Sequence, residues 1–470
     1  MKLLGLFLLF LLNLFFITEV PLSARPFKNL PPKILTEHQQ FSIMQGITSK
    51  NYSSINILRN KIDKKKLPKS RVNKVNAAIK DYKQSHDLKI KITEKESGKE
   101  LGAKNLSIKK FNIANSELYE LKIKFSSAKK YLLYVSDSDS VDIREFSNYE
   151  QQKANLKVAI CSCLNDNYFS EQIKSWNSVS KLSPDYIFLI GDNVYADIGD
   201  KLSELNGCKP ERLLNRYIET RTRLELFYLK QLIPIAMIWD DHDYGKNNGG
   251  SDYKYKFASK KIFKDFSLNE NPDISEDGLG VGFKLKLANI DFLFLDDRFY
   301  RDEKYHFGKE QEEWLFKNLE ANENAKISEI GVRKQPQSVI ISGDQFFGKY
   351  HSFESFEGNH PENFKKFIEK ISNLKSTPLF ISGDRHISEL QKIDLSPNKK
   401  IFEITSSPIH SSLPPEFTLK QFPNPQRVWA LANKNNFCLL NFQEETATQG
   451  AVSLDFYDNQ GLELYSTVIR

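Results

Sequence analysis

The stretch Pro184–Asp197, PDYIFLIGDNVYAD, decides how this chain is read. Tyr186 to Ile190 is a short, continuous apolar run of the kind that forms a strand buried on both faces, and Gly191 then bends the chain straight into the carboxylate of Asp192. Upstream, LKVAICSC (156–163) is a second such run, and FSEQIKSWNSVSKL (169–182) between them carries helical spacing. The order strand, helix, strand is the unit of a layered α/β domain.

Outward from this unit the pattern continues. A helix is expected around Glu211 to Leu232, then the strand IPIAMIWD (233–240), the strand LANIDFLFLDDR (287–298), and a helix at GKEQEEWLFKNLE (308–320). The strand SVIISGD (338–344), the helix PENFKKFIEKIS (361–372) and the strand TPLFISGD (377–384) follow. FEITSSP, FCLLNF, AVSLDFY and LELYSTVI close the chain as strands without helices between them. Residues 151–470 therefore read as α/β or α+β: a mixed β-sheet sandwich flanked by helices. Residues 25–150 differ, with short alternating strands at FSIMQGIT, SSINILR, LKIKITEKESGKEL, YELKIKF and YLLYVSD and no long helical period. They read as a small all-β sandwich of immunoglobulin or fibronectin type. Its lysine-rich insertion, 61–83, is expected to be a solvated loop; the alternative is contact with a membrane surface or an anionic polymer.

At the N-terminus, Lys2, the apolar run Leu3 to Ile17 and the small-residue stretch Pro21 to Ala24 have the layout of a secretory signal, placing residues 1–24 as a leader and the protein in the periplasm or outside the cell. The alternative is an uncleaved anchor. With 470 residues, 40% hydrophobic and 12% aromatic, the chain has enough apolar surface for two folded domains and is not a disordered polymer. A net charge of +7 over that length does not argue for nucleic acid as a partner. Four cysteines are too few for a disulfide framework. Cys208, in a loop, can pair with Cys161 or Cys163, while Cys438 reads as buried strand.

Four strands end on acidic or acid-histidine clusters: GDNVYAD, DDHDYGKNN, GDQF and GDRH. Open α/β sheets place ligand groups beyond the carboxyl ends of strands, so these tips can converge. Gathered carboxylates repel unless a cation compensates, and hard cations select oxygen with some imidazole. A metal site follows, with two ions. Each cluster also has a plain structural reading. A lone Gly-Asp is a turn, Asp240, Asp241 and Asp243 can cap a helix, and Arg298 and Arg301 after two aspartates can be a structural ion pair. His38, His86, His306, His351, His360 and His410 read as surface or core residues. No Ser-His-Asp order or Walker-type loop is present, which argues against serine-hydrolase or kinase chemistry.

AICSC, PDYIFLIGDNVYAD, IPIAMIWDDHDYGKNN, FLFLDDRFYR, the Gln311 to Leu315 motif and FISGDRHISEL, in that order between about Lys157 and His410, resemble the alkaline phosphatase D (PhoD-like) family of the calcineurin-like metallophosphoesterase superfamily. The resemblance implies a metallophosphoesterase-type sandwich and two or more metal ions, iron with calcium. It implies that Asp192 bridges two ions, that Cys163 and Tyr195 bind the iron, and that Asp241, Asn247, Asp384 and His386 complete the metal set. Asp241 stands in place of the superfamily's Gly-Asn-His asparagine, and Asp384 in place of the first histidine of Gly-His-x-His. SCLN replaces the family's SCQ, which leaves the part of Asn165 open. The chemistry expected is hydrolysis of phosphomonoesters and diesters by a metal-activated hydroxide. In it His242 serves the leaving oxygen and Arg298 or Arg301 holds the phosphate. The substrate is a small or polymeric phosphate ester. Alternatives are a phospholipase D-like or cell-wall-polymer diesterase and, outside enzymes, a surface-binding protein that keeps the fold without catalysis.

Overall fold

The computed structural model describes residues 41–60, 88–137, 140–149, 155–288, 290–326, 338–351, 354–443 and 451–469. The expected leader, 1–24, and the basic insertion, 61–83, lie outside them.

Seven strands come first: β1 (Ser42–Thr48), β2 (Tyr52–Asn60), β3 (Lys89–Glu94), β4 (Leu106–Ile113), β5 (Ser116–Lys124), β6 (Lys130–Ser136) and β7 (Val141–Ser147). They form two antiparallel sheets, β1-β2-β5-β4 and β3-β6-β7. Alternation along the strands sorts their side chains by face. Ile43, Ile57, Tyr119, Leu121 and Ile123 join Ile92, Leu133, Val135 and Phe146 in a core between the two sheets. Their neighbours Met44, Leu58 and Leu118 point the other way, into the core of the rest of the chain. β1 is consequently buried on both faces. β4 was not legible as a strand because six of its eight residues are exposed and only Leu106 and Ile113 at its ends pack against the cores.

Two larger mixed sheets follow. The strands β8 (Asn155–Cys161), β9 (Tyr186–Ile190), β10 (Ile235–Ile238), β11 (Ser275–Asp277), β12 (Phe283–Leu287), β13 (Ile290–Phe294) and β14 (Ser338–Ile341) precede β15 (Leu379–Ser382), β16 (Ser388–Ser396), β17 (Lys399–Thr405) and β18 (Arg427–Leu431). β19 (Asn436–Gln443), β20 (Ala451–Asp458) and β21 (Glu463–Ile469) complete the chain. One sheet runs β10-β9-β8-β19-β20-β21, the other β11-β12-β13-β14-β15-β17-β16-β18. β8, β9 and β10 are mutually parallel, as are β13, β14, β15 and β17.

The period-two rule explains why these strands read as unbroken apolar runs. Phe292, Phe294, Val339, Ile341, Leu379 and Ile381 enter the core shared with the six-stranded sheet, where the Phe188 ring meets Phe292 and Phe294 edge-on at 5.1 Å. Leu293, Ile340 and Phe380, one position along, meet Leu315, Phe316, Phe364 and Phe367 from the helices Lys309–Lys326 and Pro361–Asn373. Both faces are covered, so neither alternates with polar residues.

One expected helix is shorter than its pattern. It spans Pro210–Arg223 and gives way to a 3-10 turn at Glu225–Tyr228. The fully buried Arg144 accounts for this. Its guanidinium pairs with Asp142 and donates to the carbonyls of Phe227 (3.3 Å) and Leu229 (2.9 Å). A helix continuing to Leu232 would have bonded the Phe227 carbonyl internally, in competition with Arg144.

All four cysteines are free and buried, so Cys208 does not pair with Cys161 or Cys163. Its thiol instead donates to the Ala196 carbonyl at 2.9 Å. No helix among the described residues is long and apolar enough to cross a membrane.

Candidate metal centre

Parallel strands deliver their carboxyl ends to one edge, and the loops that leave β8, β9, β10, β14 and β15 meet there. Backbone bonds stitch them together. The Cys163 amide donates to the Gly191 carbonyl (3.2 Å), that of Leu164 to Asp192 (2.7 Å), and that of Gly383 to Gly343 (2.8 Å). The loops pass too close for side chains at the turns. A Cβ on Gly191, whose φ is +110°, would sit 2.7 Å from the Asp240 Cβ, and one on Gly343 equally near the Asp240 carboxyl carbon.

Four candidate ligands occupy left-handed backbone that costs an ordinary side chain energy: Cys163 (φ 58°), Asp192 (54°), Asp384 (59°) and His386 (52°). Cys163, Asp192 and Asp384 each stand two residues past the end of their strands, and His386 two residues before the next. One donor atom each from Asp192, Asp240, Asp241 and Asp384 lie within 4.8 Å of one another. The same spacing holds for Cys163, Asp192 and His386, and for Asp192, Asp241 and His242. Asp192 is common to all three sets.

The donor chemistry fits metal. Oδ1 of Asp192, Oδ1 of Asp241 and Oδ2 of Asp384 are buried with no hydrogen-bond partner. Burial pushes the Asp192 carboxyl well above the usual range, with Asp241 and Asp243 adding to it against the pull of His242. Asp384 is likewise pushed up by burial and then by Glu354, Asp344, Asp241 and Asp192. Unneutralised carboxyls of this kind are expected where a cation belongs. Cys163, pushed up first by burial and then by Asp192, donates its thiol to Asp192 Oδ2 at 3.7 Å. Thiolate with imidazole beside it suits a softer transition ion; the all-carboxylate set suits a hard one. The Tyr195 hydroxyl lies 3.0 Å from His386 Nε2, while His386 Nδ1 meets the Ser412 hydroxyl at 2.9 Å.

Asn247 stands apart from this set. Its side chain is exposed, and it is its backbone amide that engages the site, donating to Asp197 Oδ2 at 2.8 Å. The adjoining Asn248 amide donates to Asp241 Oδ2 at 2.7 Å. Asp241 to Tyr244 form one helical turn, capped by Asp240 and Asp243 in a reciprocal box. Asp243 is therefore a scaffold residue, and burial pushes its carboxyl up to about 7.

The two arginines offered by sequence are both ion-paired. Arg298 is fully buried beneath the cluster, with Nε 2.6 Å from Asp240 Oδ1 and Nη2 2.6 Å from Asp344 Oδ1. Arg301 pairs with Asp344 and lies 3.0 Å from His306. Asp240, Asp297 and Asp344 also place donors within 4.8 Å of one another, but there the guanidiniums already supply the positive charge. Arg298 is thus ion-paired with buried aspartates, while its Nη1 is buried without a hydrogen-bond partner.

Three residues of the site were not singled out from sequence. Asp197 lies 2.7 Å from His242 Nδ1; its place five residues after Asp192, inside GDNVYAD, was the available signal. Glu354 and Arg385 form an ion pair beside Asp384. Nothing in the local sequence around Glu354 marks it.

No protein-family model matches the chain, and no curated protein does. A layered α/β protein with a carboxylate-rich crest suited to metal is the class that fold and site define. Among solved structures, one titled "Structure of PhoD" matches with a TM-score of 0.62 at 15% identity, covering 94% of this chain and 94% of that one. The fold is PhoD-like.

Proposed function

We propose that the chain is an exported metal-dependent phosphoesterase, acting on phosphomonoesters and diesters through residues of 151–470, with 25–150 as an associated β-sandwich. The observation that carries this is the group of acids from three strand ends, Asp192, Asp241 and Asp384, whose buried carboxylate oxygens lack partners and face one another. Asp192, Asp241 and Asp384 would hold a hard ion, and Cys163, Tyr195, Asp192 and His386 a softer one. Cations in those places neutralise the oxygens of an anionic ester and lower the pKa of water enough for hydrolysis near neutral pH.

The chain's own groups then have defined work. Asp197 fixes the His242 ring through Nδ1, leaving Nε2 as the nitrogen that can give a proton to the leaving oxygen. Burial disfavours charge on His242, while Asp197 beside it raises its pKa. The Tyr195 ring, 4.4 Å away between centroids, holds the imidazole in place. The test is hydrolysis of a chromogenic monoester and a chromogenic diester by metal-analysed protein, before and after chelation. Chelator-sensitive turnover is expected. A folded preparation that retains no metal and cleaves neither ester overturns the reading, and a preference for the diester selects the diesterase alternative.

A further inference from the structure

A guanidinium can supplement metal ions in holding ester oxygens, and the two arginines that sequence offered are both ion-paired with buried aspartates. Arg298 is fully buried and Arg301 is 6% exposed, and both are held by Asp344. A third arginine stands at the site itself. Arg385 lies between the candidate ligands Asp384 and His386, on the turn that brings both inward. Its side chain is 7% exposed, and its Nε has no hydrogen-bond partner although it is buried. A buried guanidinium N–H without an acceptor is costly; Arg298 Nη1, Arg301 Nε and Arg427 Nη2 share this state, but of the four only Arg385 lies on the turn between two candidate ligands.

The guanidinium is held from two sides. Its carbon lies 5.8 Å from the centroid of the Tyr350 ring, and the Tyr350 hydroxyl is anchored on Glu389 at 2.7 Å. Its Nη1 donates to Glu354 Oε2. Glu354 is an unusual partner. Its side chain is 33% exposed, and its carboxylate bears on Asp384 and Asp241, so it adds negative charge to a site already crowded with it. A carboxylate in contact with a guanidinium at the rim of a metal site presents the same forked acceptor geometry as a phosphoryl group.

Resting on the phosphoesterase reading, we propose that Arg385 is the residue that receives the phosphoryl oxygens of the ester, and that Glu354 occupies the guanidinium until an anion displaces it. Arg385 then sets specificity for anionic tetrahedral groups, and Glu354 weakens their binding by competing for the same donors.

Metal-loaded full-length protein, as wild type, Arg385→Gln, Arg385→Lys and Glu354→Gln, is titrated calorimetrically with inorganic phosphate. In parallel, metal content and the KM for an aryl phosphomonoester are measured. Arg385→Gln is expected to weaken phosphate binding and raise KM by about tenfold or more with metal content unchanged, and Glu354→Gln to tighten phosphate binding. Wild-type phosphate affinity in both Arg385 variants overturns the proposal, as does loss of binding that only tracks loss of metal. Should Arg385→Gln not fold, the charge-conserving Arg385→Lys and Glu354→Gln decide: unchanged binding in the first with weakened binding in the second overturns it. Wild-type protein that holds metal but neither binds phosphate nor cleaves the ester removes the phosphoesterase reading and this inference together. Phosphate binding by wild type that survives in Arg385→Gln removes this inference alone.

Discussion

His242 Nδ1 and Asp197 Oδ1 lie 2.7 Å apart, with Asp197 1% exposed and its second oxygen taken by the Asn247 amide. Asp197 is thus locked, and through it the orientation of an imidazole at the metal crest is set. Asp197 touches neither candidate ion set; it is a positioning residue.

Asp197→Asn keeps the shape but lets the ring lose its fixed tautomer. A fall in kcat of roughly ten- to a thousandfold is expected, with metal content unchanged and KM within about twofold. Steady-state kinetics alongside elemental analysis checks this; an unchanged kcat removes His242 from the reaction.

Asp192 is shared by every proposed ligand set. Asp192→Asn should lose bound metal and reduce turnover by about a thousandfold or more. It should also relieve an uncompensated buried carboxylate, so the metal-free variant is expected to melt no lower than metal-free wild type. Chelator should lower the melting temperature of wild type and leave that of the variant unmoved, because only a protein that binds the ion is stabilised by it.

Arg298→Met leaves Asp240 and Asp344 buried without their shared counter-charge. A loss of about 3–5 kcal/mol of stability is expected, read by denaturant unfolding. A variant that unfolds like wild type but fails only in KM would return Arg298 to the role of phosphate holder.

His410 gives a pH test away from the metal ligands. It is fully buried and neutral, taking the Trp176 indole N–H on Nε2 (3.0 Å) and meeting the Asn165 carbonyl through Nδ1 (3.2 Å). Burial holds its pKa down to about 4. A depressed imidazole pKa means the unfolded chain binds a proton that the folded chain refuses. Stability from this group is therefore complete above about pH 6.5 and falls toward pH 4 by about 1.4 kcal/mol per unit. His410→Gln should be less stable at pH 7 yet show a shallower decline over that interval in thermal melts. Parallel slopes would show that other groups govern the acid limb.

Much of the fold was legible because burial on both faces leaves a mark in sequence. β14 and β15 are unbroken apolar runs since alternate residues meet different cores, as Phe292 and Leu293 do in β13, while β9 is buried along its whole length in one core. β4 left no such mark because six of its eight residues are exposed. The helix expected to reach Leu232 ends at Arg223 since a residue far away, Arg144, needs the carbonyls of Phe227 and Leu229. Local pattern cannot register a demand of that kind.

The acids that gather at the crest were foreseeable, because Gly-Asp at the end of a buried parallel strand fixes both where the carboxylate goes and which edge it shares with the others. Sequence alone thus determined the layered fold and the residue types at its rim. Which charges face an ion and which are already neutralised was decided only by tertiary packing. Asp240 and Asp241 are neighbours in the chain and both reach the group with Asp192 and Asp384, yet only Asp240 is ion-paired with the buried Arg298. Coulomb energy depends on distance in space, and positions along the chain do not supply that distance.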